Sequence, residues 1–463
     1  MTHEMNRITV LLITTLASFL SPFMASSINV ALPVIASELT VNAILLAWIP
    51  TAFLLTSAML AVPFGRVADI YGMKRIFLIG ISIFTISSFL SAISPSVEFL
   101  ILSRMIQGIG SAMIFVTAMV IITSVFHQKD MGKAIGLNIT SIFLGLLLGP
   151  LIGGLLTQYL GWRSIFYLAV PLGLFVTGLV IFKFKRMEWS GCNGEKMDIV
   201  GSILYSFTLL MVLAGFSEIT LFYGKIMVAL GIFGLMYFVY WELRVEHPIL
   251  DLRIFIHNRK FAFSNLASLI SFISTFSVIF LLSFYLQYIK GLTPVYAGMI
   301  LAIQTVAIVL MTPVSGRLSD KFEARTLASI GMGIITVGLI ILTTINMETS
   351  IYLIIFIMIL LGIGIGLFAT PNTHAIMSSV EKKDLGVAAA SASTMRLAGQ
   401  ALGMGMVLVV FSIIVGAVEF GPQNYGTLMV SIKIIFMISS LFGLVAIIMS
   451  ISRGKTVLKQ ITK

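Results

Sequence analysis

Charge and cysteine are both scarce in this chain. Only 10% of its 463 residues are Asp, Glu, Lys or Arg, whereas a soluble globular domain has about 25%. Cys192 is the only cysteine, which excludes an intramolecular disulfide and a cysteine-based metal cluster. Carboxylates are scarcer than cations, with 18 Asp and Glu against 29 Lys and Arg. The shortage of charge excludes a soluble globular fold.

Apolar residues take the place of the missing charge. Hydrophobic residues make up 59% of the chain, and they occur in runs of about 20, long enough to cross a bilayer as helices. The short alternating segments of a membrane β-barrel do not appear. The sequence therefore predicts an all-α polytopic membrane protein. The first apolar run reaches Leu32; it is too long for the core of a signal peptide and is predicted to be the first span.

We predict fourteen spans, numbered in chain order. They cover residues 8–31, 46–64, 76–94, 98–121, 134–157, 164–182, 199–217, 226–241, 262–286, 296–315, 326–345, 350–370, 387–414 and 430–451. If the N-terminus lies inside, the outer segments hold only Arg163, Lys225 and Lys290 among the basic residues. This is the positive-inside pattern, and it predicts a multi-pass protein of the plasma (inner) membrane with both termini in the cytoplasm. We attribute the net charge of +11 to this topology and not to nucleic-acid binding.

A charged segment occurs twice. Gly65–Arg75 is predicted to be a cytoplasmic loop between spans 2 and 3, and a shortened copy, Gly316–Arg325, lies between spans 10 and 11. Repetition of a segment indicates a duplicated architecture, and setting spans 7 and 8 aside leaves two halves of six spans. We predict an N-terminal six-helix half over residues 1–186, a linker with two extra spans over 187–260, and a C-terminal six-helix half over 261–463.

We predict that the two copies form a conformational latch and not a substrate site. Topology alone would not require an Asp at matching positions of both copies. Gly65 would permit a tight turn and a close helix approach, and Asp69 would meet a helix N-terminus or an arginine in one state of the protein. The predicted latch residues are Gly65, Arg66, Asp69, Gly72, Arg75, Gly316, Arg317, Asp320 and Arg325.

Span 5 contains glycine at every fourth position. This glycine stripe consists of Gly145, Gly149 and Gly153, together with the neighbouring Pro150 and Gly154. Residues four apart share one face of a helix, so the stripe would let another helix approach closely, and Pro150 would favour a bend. Ordinary packing of small residues is the alternative interpretation.

Two arginines lie deep within predicted spans. Arg104 lies about 10 Å along span 4, since a helix rises about 1.5 Å per residue, and Gln107 follows one turn later. Arg396 lies near the middle of span 13. A charge at such a depth is expected to be functional, although each arginine could instead clamp neighbouring backbone carbonyls. With Asn29 on span 1 and Gln304 on span 10, they are predicted to line a coupling or substrate cavity.

These motifs resemble those of the major facilitator superfamily over nearly the whole chain. The stripe resembles that of its antiporters, and the two extra spans resemble the fourteen-span drug:proton antiporter family. Ser26–Pro33, Leu102–Gly110 and Pro248–Phe255 are similar to that family's span 1, span 4 and mid-chain linker motifs. The resemblance implies proton-coupled export of lipophilic drug-like compounds by alternating access, with the arginine at position 104 linked to proton transfer. The linker motif would lie on the membrane surface or act only as a tether.

The sequence departs from this family at Met24, where its members usually have an acidic residue. Three explanations stay open. Glu38 or Glu98 titrates at the outer side, or Asp69 couples through the latch, or the substrate is neutral or anionic. The alternative function is therefore export of an anionic or amphiphilic endogenous metabolite, with Arg104 and Arg396 as counter-charges.

Other classes of function lack their signatures. The chain has no Gly-x4-Gly-Lys-Ser/Thr motif for ATP, so the energy is expected to come from an ion gradient. It also has no deep constellation of His, Asp, Glu or Cys, so we expect no enzyme activity, no cofactor and no metal site. The expected partners are a small-molecule substrate, protons and the lipid bilayer, without nucleic acid, and the protein is expected to function as a monomer.

Overall fold

The structure is a computed structural model that describes residues 2–126, 128–184, 198–246, 248–250, 252–319, 321–381, 385–418 and 420–453. Within these residues, 14 helical segments are long and apolar enough to cross a membrane. No strand occurs in the same part of the chain. The all-α, fourteen-span fold predicted from the sequence is thereby confirmed.

The helices are numbered in chain order. They are α1 (Thr2–Leu39), α2 (Ala43–Tyr71), α3 (Met73–Ala92), α4 (Val97–Val125), α5 (Gln128–Leu160), α6 (Arg163–Lys183), α7 (Ile199–Ser217), α8 (Phe222–Glu242), α9 (Leu252–His257), α10 (Arg259–Thr275), α11 (Ser277–Phe284), α12 (Pro294–Ser319), α13 (Ala324–Thr343), α14 (Ile351–Met377), α15 (Leu385–Val410) and α16 (Tyr425–Ile451). Span 9 consists of α10, α11 and a π-helical turn at Tyr285–Ile289, and span 13 ends in a second π-helical turn at Phe411–Val415. We call the Glu38 end of α1 the predicted outer end, and the opposite end the predicted inner end.

Several helices extend beyond the predicted spans. The prediction ended span 2 at residue 64, but α2 continues to Tyr71. Most of the first charged copy is therefore helix, and the assignment of Gly65–Arg75 to a loop was wrong. The reason is that backbone hydrogen bonding holds a helix together past the last apolar residue, where hydropathy no longer detects it.

The helices form two compact units. Unit 1 comprises Met1–Leu250, Phe276–Ala302 and Gln400–Ile432, and unit 2 comprises Asp251–Thr275, Ile303–Gly399 and Lys433–Lys463. Unit 1 thus contains the N-terminal six spans, the extra pair α7–α8 and the predicted outer portions of four later spans. The division into two six-helix halves and a linker stays a prediction.

The extra pair α7–α8 is fixed to α2 by polar contacts. Tyr205 Oη donates to the Ala58 carbonyl oxygen at 3.1 Å. Asp198 caps α7 by accepting from Gly201 N at 2.8 Å, and it also accepts from Trp241 Nε1 on α8 at 3.0 Å. One carboxylate therefore satisfies a free helix-terminal amide and ties the two extra helices together.

The predicted linker element contains a short helix. α9 occupies Leu252–His257, and its Ile254 and Phe255 pack against a buried cluster of unit 2 that contains Phe261 of α10. The rings of Phe255 and Phe261 lie 4.8 Å apart. The apolar positions of the linker motif are therefore used to attach α9 to the start of span 9.

Candidate functional site

Arg104 is fully buried in unit 1, at a position set by α4. Its Nη1 donates to Gln107 Oε1, one turn later on the same helix. Gln107 Nε2 in turn donates to Ser88 Oγ on α3 at 2.8 Å. Polar groups in such a chain orient one another in an apolar interior, so Ser88 fixes the amide that holds the guanidinium.

Two aromatic rings complete the surroundings of Arg104. Its Cζ lies 4.3 Å from the ring centroid of Phe53 on α2 and 6.0 Å from that of Phe166 on α6. A cation is attracted to the face of such a ring, and more strongly where water is excluded. The alternative interpretation, a clamp on backbone carbonyls, does not describe this arrangement, because an amide and two rings hold the side chain.

The guanidinium of Arg104 retains unused donors. Its Nε and Nη2 are buried and have no hydrogen-bond partner among the described residues. Leaving a buried charge incompletely bonded is costly, so these donors are available to a substrate group, a bound water or a carboxylate that approaches during transport.

Asn29 lies where span 1 meets the second part of span 9. Its Nδ2 donates to the Ala25 carbonyl oxygen at 3.2 Å, while its Oδ1 has no partner within the described chain. Ser283 Oγ donates to the Asn29 carbonyl oxygen at 2.6 Å, and Gln287 Nε2 donates to that of Val30 at 2.9 Å. These contacts tie α1 to α11 and its π-helical turn.

The glycine stripe of α5 serves two neighbours. An ideal Cβ at Gly145 would lie 2.7 Å from the Phe19 carbonyl oxygen of α1, and one at Gly153 would lie 2.9 Å from Ser27 Cα. Such distances leave no room for a side chain, so close approach to α1 is what these glycines permit. Gly149 faces Ser26 of α1 in the same way.

The other face of α5 meets the start of α12. A Cβ at Gly154 would lie 2.6 Å from the Pro294 carbonyl oxygen, and a Cβ at Gly298 would collide with the Pro150 carbonyl oxygen. Val295 N donates to Gln158 Oε1 at 3.3 Å. We call these α5–α12 contacts, together with the α1–α11 contacts, the outer seam; all of its residues belong to unit 1.

The first latch copy lies at the junction of α2 and α3. Gly65, Arg66 and Asp69 lie on α2, and Arg75 lies in the first turn of α3. Arg66, Asp69 and Arg75 all interact with other groups. The expectation that Gly65 provides a tight turn and close approach was wrong, because Gly65 is helical and an added Cβ would meet nothing within 4 Å.

The turn between α2 and α3 is made by Gly72 alone. Its backbone has φ 103° and ψ 129°, a conformation that costs a residue with a side chain about 1–3 kcal/mol. Gly72→Ala is therefore expected to lower the melting temperature of the purified protein and to slow transport. Gly65→Ala is the matched control and should leave both unchanged, because alanine is favoured in a helix. Equal effects of the two substitutions would contradict this role of Gly72.

The second latch copy is described in part. Gly316 and Arg317 lie at the end of α12 and Arg325 lies in the first turn of α13, all in unit 2. An added Cβ at Gly316 would also meet nothing within 4 Å. Asp320 lies outside the described residues, so the equivalence of the two Asp positions stays a prediction.

The predicted polar residues of unit 2 are Gln304 on α12 and Arg396 on α15. Gln304 is 3% exposed, and its Oε1 has no partner within the described chain. Arg396 is half-buried and interacts with other groups. The structure places Gln304 and Arg396 in unit 2, and Asn29, Arg104 and Gln107 in unit 1.

Sequence reasoning missed a second set of buried polar atoms in unit 2. Phe261 of α10 packs with Ile376 of α14 and Ala388 of α15, and one turn further into each helix the neighbouring side chain is polar. The polar residues at these positions are Asn265, Asn372 and Ser391, whose Oδ1 or Oγ atoms have no partner within the described chain. The presence of Asn side chains inside apolar spans was the sequence signal that could have identified this set.

The outer carboxylates differ in their surroundings. Glu38 pairs with Arg163 and accepts from Trp162 Nε1 at 2.8 Å. Glu98 has no ion pair within the described part of the chain, and it lines a cavity of about 330 Å³ with Asn42, Ser96 and Ala417 of unit 1. Glu98 therefore fits the role of an accessible outer acid better than Glu38 does.

Comparison with known families decides the identity of the fold. The sequence profile described as "Major Facilitator Superfamily" matches residues 14–404 and 264–459 of this chain. The chain belongs to the major facilitator superfamily. This membership makes the protein a secondary transporter and not an enzyme, as the sequence predicted.

Similar proteins place this major facilitator near transporters of drugs and of a vitamin. It is 31% identical to the riboflavin transporter RibZ of Clostridioides difficile (strain 630), over 85% of this chain and 86% of that protein. It is 29% identical to the multidrug resistance protein Stp of Mycobacterium tuberculosis (strain CDC 1551 / Oshkosh), over 85% of this chain and 75% of that protein. These relatives support the resemblance to the drug:proton antiporter family.

Solved structures agree on the fold of this major facilitator. The crystal structure of a bacterial homologue of the human lysosomal transporter Spinster, in an inward-facing and unoccupied conformation, matches with a TM-score of 0.69 and 16% identity. The alignment covers 97% of both chains. At this identity the likeness concerns the fold alone.

Proposed function

We propose that this protein is an ion-coupled exporter of lipophilic drug-like compounds that works by alternating access. The observation that carries the proposal is the outer seam, where α5 of the first six spans meets α12 of the last six through Gly154 and Pro294. Exporters of this superfamily must open and close such a seam once in each cycle. The relative named for multidrug resistance supports drug-like substrates.

The distribution of basic residues supports one orientation in the membrane. We propose that the protein lies in the plasma membrane with both termini in the cytoplasm and acts as a monomer. The latch copies then lie at the inner face, where they would stabilise one conformation. Opening of the latch would accompany closure of the outer seam.

Proton coupling needs a group that titrates, and Arg104 is a poor candidate because arginine stays charged in proteins. Glu98 offers an accessible carboxylate in the cavity at the predicted outer end. We propose that Glu98 takes up the coupling proton outside and that the unused donors of Arg104 stabilise an anionic group during the cycle.

A second candidate function is transport of a heteroaromatic metabolite rich in hydrogen-bond donors, such as riboflavin. The relative of 31% identity is named a riboflavin transporter. The buried amide oxygens of Asn29, Asn265, Gln304 and Asn372 have no partner within the described chain, and only a ligand or water with N–H or O–H groups can satisfy them. A simple lipophilic cation offers few such donors.

Transport by the purified protein in liposomes distinguishes these candidates. With an imposed proton gradient, the proposal predicts uptake of ethidium, as a lipophilic cation, and abolition of that uptake by a protonophore. Riboflavin and an anionic dye should move no faster than in protein-free liposomes. Saturable riboflavin transport without ethidium transport would favour the second candidate, and full transport without any ion gradient would contradict ion coupling.

A further inference from the structure

Four cations lie around the C-terminal end of α16 in unit 2. They are Arg259, Lys260, Arg325 and Arg453. Arg259 Nε donates to the Ser452 carbonyl oxygen at 3.1 Å, and Arg325 Nη1 donates to the Ile451 carbonyl oxygen at 3.5 Å. These two arginines therefore satisfy carbonyl groups that a helix end leaves open.

Arg453 has no such role. Its side chain is only 4% exposed, yet Nε, Nη1 and Nη2 all lack a hydrogen-bond partner among the described residues. Lys260 donates to Ser378 Oγ at 3.0 Å and lies within reach of the Arg453 charge. Burial lowers the pKa of Arg453 to about 10, so the guanidinium stays protonated at neutral pH. A buried cation beside a second cation is costly unless an anion accompanies it.

An apolar groove begins at one of these cations, Arg325, between α13 and α16. It has a volume of about 340 Å³ and is lined by Arg325, Thr326, Ser329, Ile330, Ile447 and Ile451. Arg325 and the hydroxyl of Thr326 lie in the first turn of α13, and Ile330 follows about one turn further along. The groove is thus charged at one end and apolar along the rest. A phospholipid has the same arrangement, with a charged headgroup followed by an apolar acyl chain.

The charges near the groove favour an anion. Glu323 lies 3.9 Å from Arg325 Nε through its Oε2, and it offsets one of the four positive charges. The positive end of the α13 dipole points to the same place. No Asp or Glu follows Glu419 in the sequence, so later side chains offer Arg453 no carboxylate.

We propose that this cluster and groove bind one anionic phospholipid. Its phosphate lies at Arg325 and Arg453, and one acyl chain lies along the isoleucines of the groove. The positive-inside pattern assigns the site to the cytoplasmic leaflet, where anionic lipids are concentrated. The site shares Arg325 with the second latch copy, and it includes none of the polar residues assigned to transport.

Lipid binding to the full-length protein in neutral detergent tests this site. Phosphatidylglycerol is expected to raise the melting temperature and to stay bound as one molecule in native mass spectra, whereas phosphatidylcholine and inorganic phosphate do neither. Arg325→Gln should weaken phosphatidylglycerol binding about tenfold, as expected for loss of one charge-assisted contact, and Arg453→Gln should weaken it at least as much. Lys433→Gln, near the other end of α16, is the matched control and should bind like the parent protein.

Three results would overturn the proposal. Equal affinity for phosphatidylcholine would show a groove without headgroup selectivity. Stabilisation by inorganic phosphate to the same extent would show an anion site that needs no lipid. Unchanged phosphatidylglycerol affinity in Arg325→Gln would show that Arg325 does not contact the phosphate. If Arg453→Gln does not fold, Arg325→Gln still tests the proposal, because Arg325 is partly exposed.

Discussion

Arg104→Gln is expected to slow transport by about 10- to 100-fold, the factor that corresponds to losing one strong charge-assisted interaction. The substitution removes the cation held between Phe53, Phe166 and Gln107. It leaves an amide that can still bond to Gln107, so the helix packing of unit 1 should survive. The measurement is the initial rate of gradient-driven transport in liposomes, normalised to the amount of inserted protein.

Two companion variants separate charge from structure in this test. Arg104→Lys keeps the charge but loses the planar set of donors, and it should transport at an intermediate rate. Ser88→Ala removes only the far end of the hydrogen-bond chain and should reduce the rate a few-fold at most. Transport by Arg104→Gln at the parental rate would refute a functional role for Arg104. If Arg104→Gln, Arg104→Lys and Ser88→Ala all failed to fold, the role of Arg104 would be structural.

Locking the outer seam is expected to reduce transport to background. Val295 N lies 3.3 Å from Gln158 Oε1, so cysteines at positions 158 and 295 come within reach of a short bifunctional thiol reagent. The natural Cys192 is the only competing thiol, and Cys192→Ser removes it. A covalent bridge eliminates every state in which α5 and α12 separate there, and alternating access requires such a state. Transport before and after cross-linking is the measurement.

A control pair of cysteines tests whether the cross-linking reaction by itself reduces transport. Tyr223 Oη, in the first turn of α8, donates to Glu218 Oε2 at the end of α7 at 3.1 Å. Cysteines at these two positions, cross-linked by the same reagent, should leave transport unchanged because they join one helical hairpin to itself. Full transport with the seam bridged would show that α5 and α12 need not separate, and would contradict the proposed cycle.

The sequence was most informative where physical chemistry acts along the chain. Apolar runs have to leave water whatever their neighbours are, so the number of spans and their approximate bounds followed from composition and length. That Arg104 and Gln107 lie one turn apart followed from helical spacing, and in the structure the two side chains are hydrogen-bonded. The charged copies and the glycine stripe were also visible as spacing, and they pointed to the superfamily.

The sequence could not specify which faces of the helices meet. Gly65 and Gly72 look alike in the first charged copy, yet only Gly72 has a backbone that requires glycine. The stripe predicted one close approach, whereas α5 makes two, to α1 and to α12. The orphan oxygens of Asn265 and Asn372 and the unpartnered guanidinium of Arg453 depend on contacts between distant segments.

By itself, the sequence determined that this protein is a fourteen-span membrane protein, and it showed two arginines within predicted spans and a charged segment that occurs twice. The tertiary structure alone decided which side chains surround Arg104, where the outer seam lies and which glycines have no room for a side chain. The physical reason is that hydropathy measures only the free energy of transfer out of water. Lipid and protein interior are similarly apolar, so hydropathy does not distinguish between them. Only contacts between helices distinguish a face that meets lipid from one that holds a functional group.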